Sequence, residues 1–236
     1  MRKLTATICT LMSAAALVLS GGYSVSAQDY DKSGYCPITK GMVLEYVNYD
    51  SDGAKMSSYI MKVSAVEGTL TDGTVTFDQY FYDEDGSPLF DDNGGNLPME
   101  VTVGGPEGTV SRMSDVGKVM KVQDIMSKGD ASSVPSGIKA GTTIPDGTIK
   151  VKIGKISATI VTQNRQVVQQ KDITVPAGTF DCFLIKEEQV TRTVGSKAER
   201  IETWYAAGIG CIKQAVYDRK GRLDHTQELV SIKFEN

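Results

Sequence analysis

From Met42 onward the chain alternates apolar and polar residues with a period of two. Tyr59, Met61, Val63 and Ala65 alternate with Ile60, Lys62 and Ser64, and Val75, Phe77 and Phe81 with Thr74, Thr76, Asp78 and Tyr80. Ile149, Val151 and Ile153 alternate with Lys150 and Lys152, and Val230, Ile232 and Phe234 with Ser231 and Lys233. This pattern predicts half-buried antiparallel strands, one face on a core and one in water. Further strands are predicted over 42–49, 157–163, 167–175, 180–190, 199–206 and 209–217. About ten strands in one domain point to a sandwich or barrel. The expected fold class is all-β.

Two stretches anchor that pattern. In Val175-Pro176-Ala177-Gly178-Thr179-Phe180, proline ends an extended run because it lacks a ladder N–H, and Gly178 permits a positive φ at the corner. Phe180 to Ile185 then reads as a buried strand. The other stretch, Trp204-Tyr205-Ala206-Ala207-Gly208-Ile209-Gly210, holds the only tryptophan. Phe180 and Trp204 are expected in the core.

A turn motif occurs three times. Its copies begin Tyr49-Asp50-Ser51-Asp52-Gly53, Tyr82-Asp83-Glu84-Asp85-Gly86 and Tyr217-Asp218-Arg219-Lys220-Gly221. Each Asp is placed to accept the backbone N–H two residues on, and each Gly to take the left-handed position of a hairpin. Calcium is the alternative, since Asp-x-Asp-Gly occurs in the first two copies. No Glu stands where a twelve-residue calcium loop needs it, and the third copy carries Arg-Lys instead.

The pattern breaks between Leu97 and Gly147. Ser114-Asp115 reads as the cap of one short helix, with Val119, Val122 and Met126 at helical spacing. Met113, Val116, Met120, Val122 and Met126 form the candidate ligand-binding set: a cover over an apolar sheet face, adaptable because methionine repacks around varied shapes. Gly117 and Gly129 would be its hinges. The alternative is a fixed element closing an ordinary core.

The N-terminus reads as a targeting segment. Arg2 and Lys3 precede an apolar run from Thr5 to Ser20, and Val25-Ser26-Ala27 is a small-residue cleavage site. The run is short for a membrane span, and no cysteine follows Leu19-Ser20-Gly21-Gly22 to accept a lipid. The expectation is residues 1–27 as a signal peptide cleaved after Ala27, 28–236 as a single domain, release to the periplasm or exterior, and no stable anchor afterwards. Residues 1–27 contain two cations and no acid, so cleavage takes the formal charge from −4 to −6. That balance argues against nucleic acid and anionic membrane surfaces.

Catalytic chemistry is sparse. His225 is the only histidine and is expected to be exposed. No Gly-x-Ser-x-Gly elbow, Walker loop or dinucleotide fingerprint occurs. Cys36, Cys182 and Cys211 lack metal-site spacing. They are read either as three buried thiols or as a Cys36–Cys211 disulfide with one thiol left over. Glu187-Glu188 sends one acid to each strand face. Carboxylate pairs from different strands are left open, and with them a glycosidase.

The combination of Tyr35-Cys36-Pro37-Ile38-Thr39-Lys40-Gly41, the Val175–Phe180 corner, the Trp204–Gly210 stretch and the closing Tyr217-Asp218-x-x-Gly221-x-Leu223 hairpin resembles the TapB-like family of exported bacterial domains of unknown function, of the gut-anaerobe type. The resemblance covers most of the chain after residue 27 and implies an all-β envelope domain, a strongly curved antiparallel sheet or open barrel, with no known catalytic residues. Cys36 and Cys211 depart from the family pattern, which has Tyr or Phe and Val there. The functional expectation is a non-catalytic binding module without cofactor or metal, for an apolar ligand, lipid or peptide. The alternatives are a structural or interaction domain with an envelope protein as partner and, more remotely, a hydrolase.

Overall fold

A computed structural model describes residues 30–32, 34–69, 72–89, 99–104, 112–114, 125–130, 134–135, 137–153 and 156–235. Among them are thirteen strands and no α-helix. The strands are β1 Met42–Asp50, β2 Lys55–Thr69, β3 Asp72–Tyr82, β4 Met99–Gly104, β5 Arg112–Ser114, β6 Ile125–Asp130 and β7 Thr143–Ile144. They continue with β8 Gly147–Ile153, β9 Ile156–Val175, β10 Gly178–Arg192, β11 Ser196–Ala206, β12 Gly210–Tyr217 and β13 Leu223–Phe234.

All belong to one antiparallel sheet ordered β5-β4-β3-β2-β1-β13-β12-β11-β10-β9-β8-β6, with β7 paired to β9. The first and last strands of the chain's well-patterned half, β1 and β13, pair in the middle of that path. The sheet curls until its ends, β5 and β6, come into contact. No ladder joins those ends among the described residues, so the curl is not a closed barrel. The main core gathers Met42, Leu44, Tyr46, Val63, Val75, Phe77, Ile212 and Leu229. A smaller one forms where the 134–144 segment lays Val134, Ile138 and Ile144 on Val167 and Ile185.

The three turn motifs fold alike. In each, the Asp N–H donates to the carbonyl four residues on, and the Gly N–H donates to the Asp carbonyl. One carboxylate oxygen, Oδ1, accepts the N–H groups two and four residues on, in Asp50, Asp83 and Asp218. Gly53, Gly86 and Gly221 have φ of 83°, 85° and 75°. The corner after β9 is as expected: Val175 pairs with Gly178, whose φ is 137°.

Several expectations need correction. The strands predicted over 157–163 and 167–175 are one, β9. Its polar break, Asn164-Arg165-Gln166, is a bend rather than a turn: Asn164 takes φ 55°, and the β9–β10 register shifts on either side. Short strands β4 to β7 fall where the pattern breaks, although Met99, Val101 and Val103 of β4 alternate with Glu100 and Thr102. Ser114 ends β5 and Met126 lies in β6, so neither belongs to a helix. Phe180 and Trp204 are half-buried rather than central, and Lys171 Nζ lies 5.0 Å over the Trp204 ring. His225 is half-buried too, with Nδ1 3.0 Å from Asp224 Oδ2.

The glycines of the Trp204 stretch have a tertiary cause. A strap from Tyr30 to Pro37 crosses the β11–β12 turn, and Gly208 N–H donates to Gly34 O at 2.6 Å. A Cβ on Gly208 would sit 2.3 Å from Asp31 O and 2.7 Å from the Tyr30 ring; on Gly210 it would sit 3.2 Å from Tyr35 O. Only glycine lets the strap lie this close.

Candidate functional site

Residues paired directly across antiparallel strands share a face. One such row crosses five strands as Ser57, Asn48, Gln227, Gln214 and Thr203. Ser57, Asn48, Gln227 and Thr203 are buried, and Gln214 is half-buried. The row continues through Ile185 and Val167, both fully buried beneath the 134–144 segment. A polar centre with an apolar flank is not an ordinary sheet core, because each buried amide needs a partner.

The partners are largely one another. Asn48 Nδ2 donates to Ser57 Oγ at 3.0 Å, and Gln214 Nε2 to Thr203 Oγ1 at 3.0 Å. Gln227 Nε2 reaches Tyr59 Oη and Cys211 Sγ, both at 3.5 Å. Above the row, Tyr46, Tyr59 and Phe81 stack with centroids 4.7 and 5.4 Å apart. Tyr46 Oη donates to Cys211 O at 3.0 Å. Burial pushes the phenols of Tyr46, Tyr59 and Tyr205 well above their ordinary range, so they stay protonated donors.

At the other end lies a charge pair that alternation alone did not reveal. Arg165, with a fully buried side chain, donates from Nε to Glu187 Oε2 at 2.9 Å; the Glu187 side chain is 7% exposed. Arg165 Nη1 also donates to Pro145 O at 3.0 Å, tying the segment around β7 to β9. Glu188, its neighbour, faces solvent and accepts from Asn164 Nδ2 at 2.9 Å. The acids thus split between faces as expected, but Glu187 has a structural cation. The only sequence signal for it was an Arg at a polar break between two apolar runs.

The three thiols are free. Burial raises Cys36 and Cys182 to about 12 and raises Cys211 as well, so none forms a reactive thiolate near neutral pH. Of the candidate ligand-binding residues, Met113 lies in β5 opposite Val101, and Met126 in β6 opposite Lys152. Val116, Met120 and Val122 lie outside the described residues, as do the hinge Gly117 and residues 1–27.

The described site therefore brings together buried amides, hydroxyls, phenols and one ion pair, most of them bonded to one another, with Gln214 Oε1 buried and without a hydrogen-bond partner among the described residues. No group of three or more His, Cys, Asp or Glu among the described residues has the placement to hold a metal ion.

The fold has solved counterparts. A candidate exported protein with a YmcC-like fold from Bacteroides fragilis NCTC 9343 superposes with TM-score 0.68 at 21% identity, covering 85% of this chain and 99% of that one. A candidate lipoprotein from Parabacteroides distasonis ATCC 8503 gives 0.70 at 19% identity, covering 86% and 100%. No curated protein matches the sequence. The DUF3108-like family model matches residues 39–229, from just after the strap into β13, and the chain belongs to that family.

Proposed function

We propose that this chain is a non-catalytic interaction domain that works outside the cytoplasm, a rigid curled sheet whose interior is filled by its own side chains. The carrying observation is the buried polar row from Ser57 to Thr203, hydrogen-bonded within its two end pairs, beside the Tyr46–Tyr59–Phe81 stack. A face shaped for a lipid chain would be apolar where this one is amide and hydroxyl. The non-catalytic reading is supported by the state of the reactive groups: Glu187 is bound by Arg165, and the thiols and central phenols are held protonated. Export is supported by Arg2-Lys3, the apolar run and Val25-Ser26-Ala27, and by the names of the two structural neighbours. The narrower TapB-like kinship rests on the corner, strap and closing hairpin described above.

Native mass spectrometry of protein purified from its own envelope tests the reading. The expected result is the mass of the chain from Gln28 onward, or twice that mass, with no small molecule bound. A stoichiometric lipid would overturn it and favour the methionine segment as a ligand cover. An intact Met1 would overturn the export reading.

A further inference from the structure

We propose that one rim of the sheet is a self-complementary surface through which two copies of this chain associate about a two-fold axis. This inference does not depend on whether the interior is filled. The register puts five turns at one end of the strands: those after β1 and β3, and those joining β8 to β9, β10 to β11 and β12 to β13. The proposed surface comprises the four that follow β3, β1, β12 and β10, in that order along the rim, since that is the order of the strands.

Charge divides the rim into halves. The turns after β3 and β1 expose Glu84, Asp85 and Asp52. The two turns beyond them expose Arg219, Lys220 and Arg192. Residues 192–200 and 218–224 hold six Lys or Arg against three Asp or Glu, a local +3 in a chain of −4. The carboxylates of Asp50, Asp83 and Asp218 are already used inside their own turns. Those of Asp52, Glu84 and Asp85 have no ion pair among the described residues, nor do Arg192 and Lys220. Arg219 Nη2 reaches Ser196 O at 3.4 Å, tying the two basic turns together.

Apolar residues follow the same division. Among the described residues, three of the five exposed large apolar side chains lie here: Met56 and Leu89 in the acidic half and a fully exposed Val194 at the basic tip. The rim is also slanted. The β10–β11 tip projects, because Ser196 starts β11 four residues before Arg200, the partner of Tyr217 at the end of β12. The turn after β3 is set back, because Tyr82 pairs with Ser58, three residues into β2.

A two-fold axis across the middle of this row reverses its order. The projecting basic tip with Val194 then meets the recessed acidic turn with Leu89. The Asp52 turn meets the Arg219-Lys220 turn. Every contact occurs twice, as an isologous interface requires. An anionic membrane would attract one half and repel the other, and a partner of single-sign charge would leave half the rim opposed. A second copy satisfies both halves.

Sedimentation of the chain from Gln28 onward tests this. A dimer is expected at about 20 mM salt, weakening at about 500 mM as exposed charges are screened. Lys220→Glu is expected to weaken association about tenfold, since two cross-rim pairs become repulsive. Adding Asp52→Lys is expected to restore it, which mere damage to a turn would not do. Both positions are solvent-exposed, and an unchanged melting temperature confirms that each variant folds. A monomer at every salt concentration, a Lys220→Glu dimer as tight as the parent, or failure of Asp52→Lys to rescue would each overturn the proposal.

Discussion

Removing one partner of the Arg165–Glu187 pair is the sharpest test of how the interior is held. Glu187→Leu leaves a guanidinium with no solvent exposure and deprives its Nε of the acceptor at 2.9 Å. Breaking a buried pair in this way costs about 3–5 kcal/mol, because the surviving charge loses its carboxylate. For a domain of this size each kcal/mol lowers Tm by about 2–4 °C, so a fall of about 6–20 °C is expected. Arg165→Met has the reciprocal effect and also frees Pro145 O, loosening the segment over Val167 and Ile185. The double variant, Arg165→Met with Glu187→Leu, is expected to recover most of the loss, since apolar residues of similar volume replace a buried pair at little net cost. Urea unfolding followed by Trp204 fluorescence and circular dichroism measures all three variants. A Glu187→Leu single variant as stable as the parent would show that Arg165 reaches water or another acid. A double variant no better than the singles would show that the pair is not the coupled unit the geometry describes.

The thiols and the strap give two further tests. With Cys9 removed alongside the leader, three thiols per chain should react with Ellman's reagent in denaturant and none in the native protein near pH 8, because all three are free and raised by burial. The folded state keeps Cys36 and Cys182 protonated up to about 12, whereas an unfolded thiol ionises near 9. Their stabilising contribution is therefore full below about pH 9 and is lost as pH rises to about 12, and Tm measured across that window should fall. Gly208→Ala should release the strap: its φ of 75° costs a side chain about 1–3 kcal/mol, and the added Cβ collides with Asp31 O. Faster proteolysis between Tyr30 and Cys36, with Cys36 becoming reactive in the folded protein, checks this; unchanged protection of both would sink it.

Local chemistry wrote much of this fold into the chain. Period-two alternation marked most of the strands of the well-patterned half, because a half-buried strand must alternate. The three Asp-x-x-Gly turns were legible because the carboxylate satisfies nearby N–H groups and glycine tolerates positive φ, both within five residues. Features set by distant partners were not legible. Trp204 reads as core by composition, yet lies at the edge of it, with Lys171 on its ring. Nothing in the local sequence explains Gly208 and Gly210, but the strap of residues 30–37 lies against both and leaves no room for a side chain at Gly208. The polar row exists only once five strands are in register, since Ser57 and Thr203 stand far apart in sequence and each alone reads as an ordinary polar strand residue. Glu187 reads only as one of two acids on opposite strand faces until the bend at Asn164 brings Arg165 to it. Periodicity tells which face a residue takes; only the closed register of the curled sheet decides what it meets there.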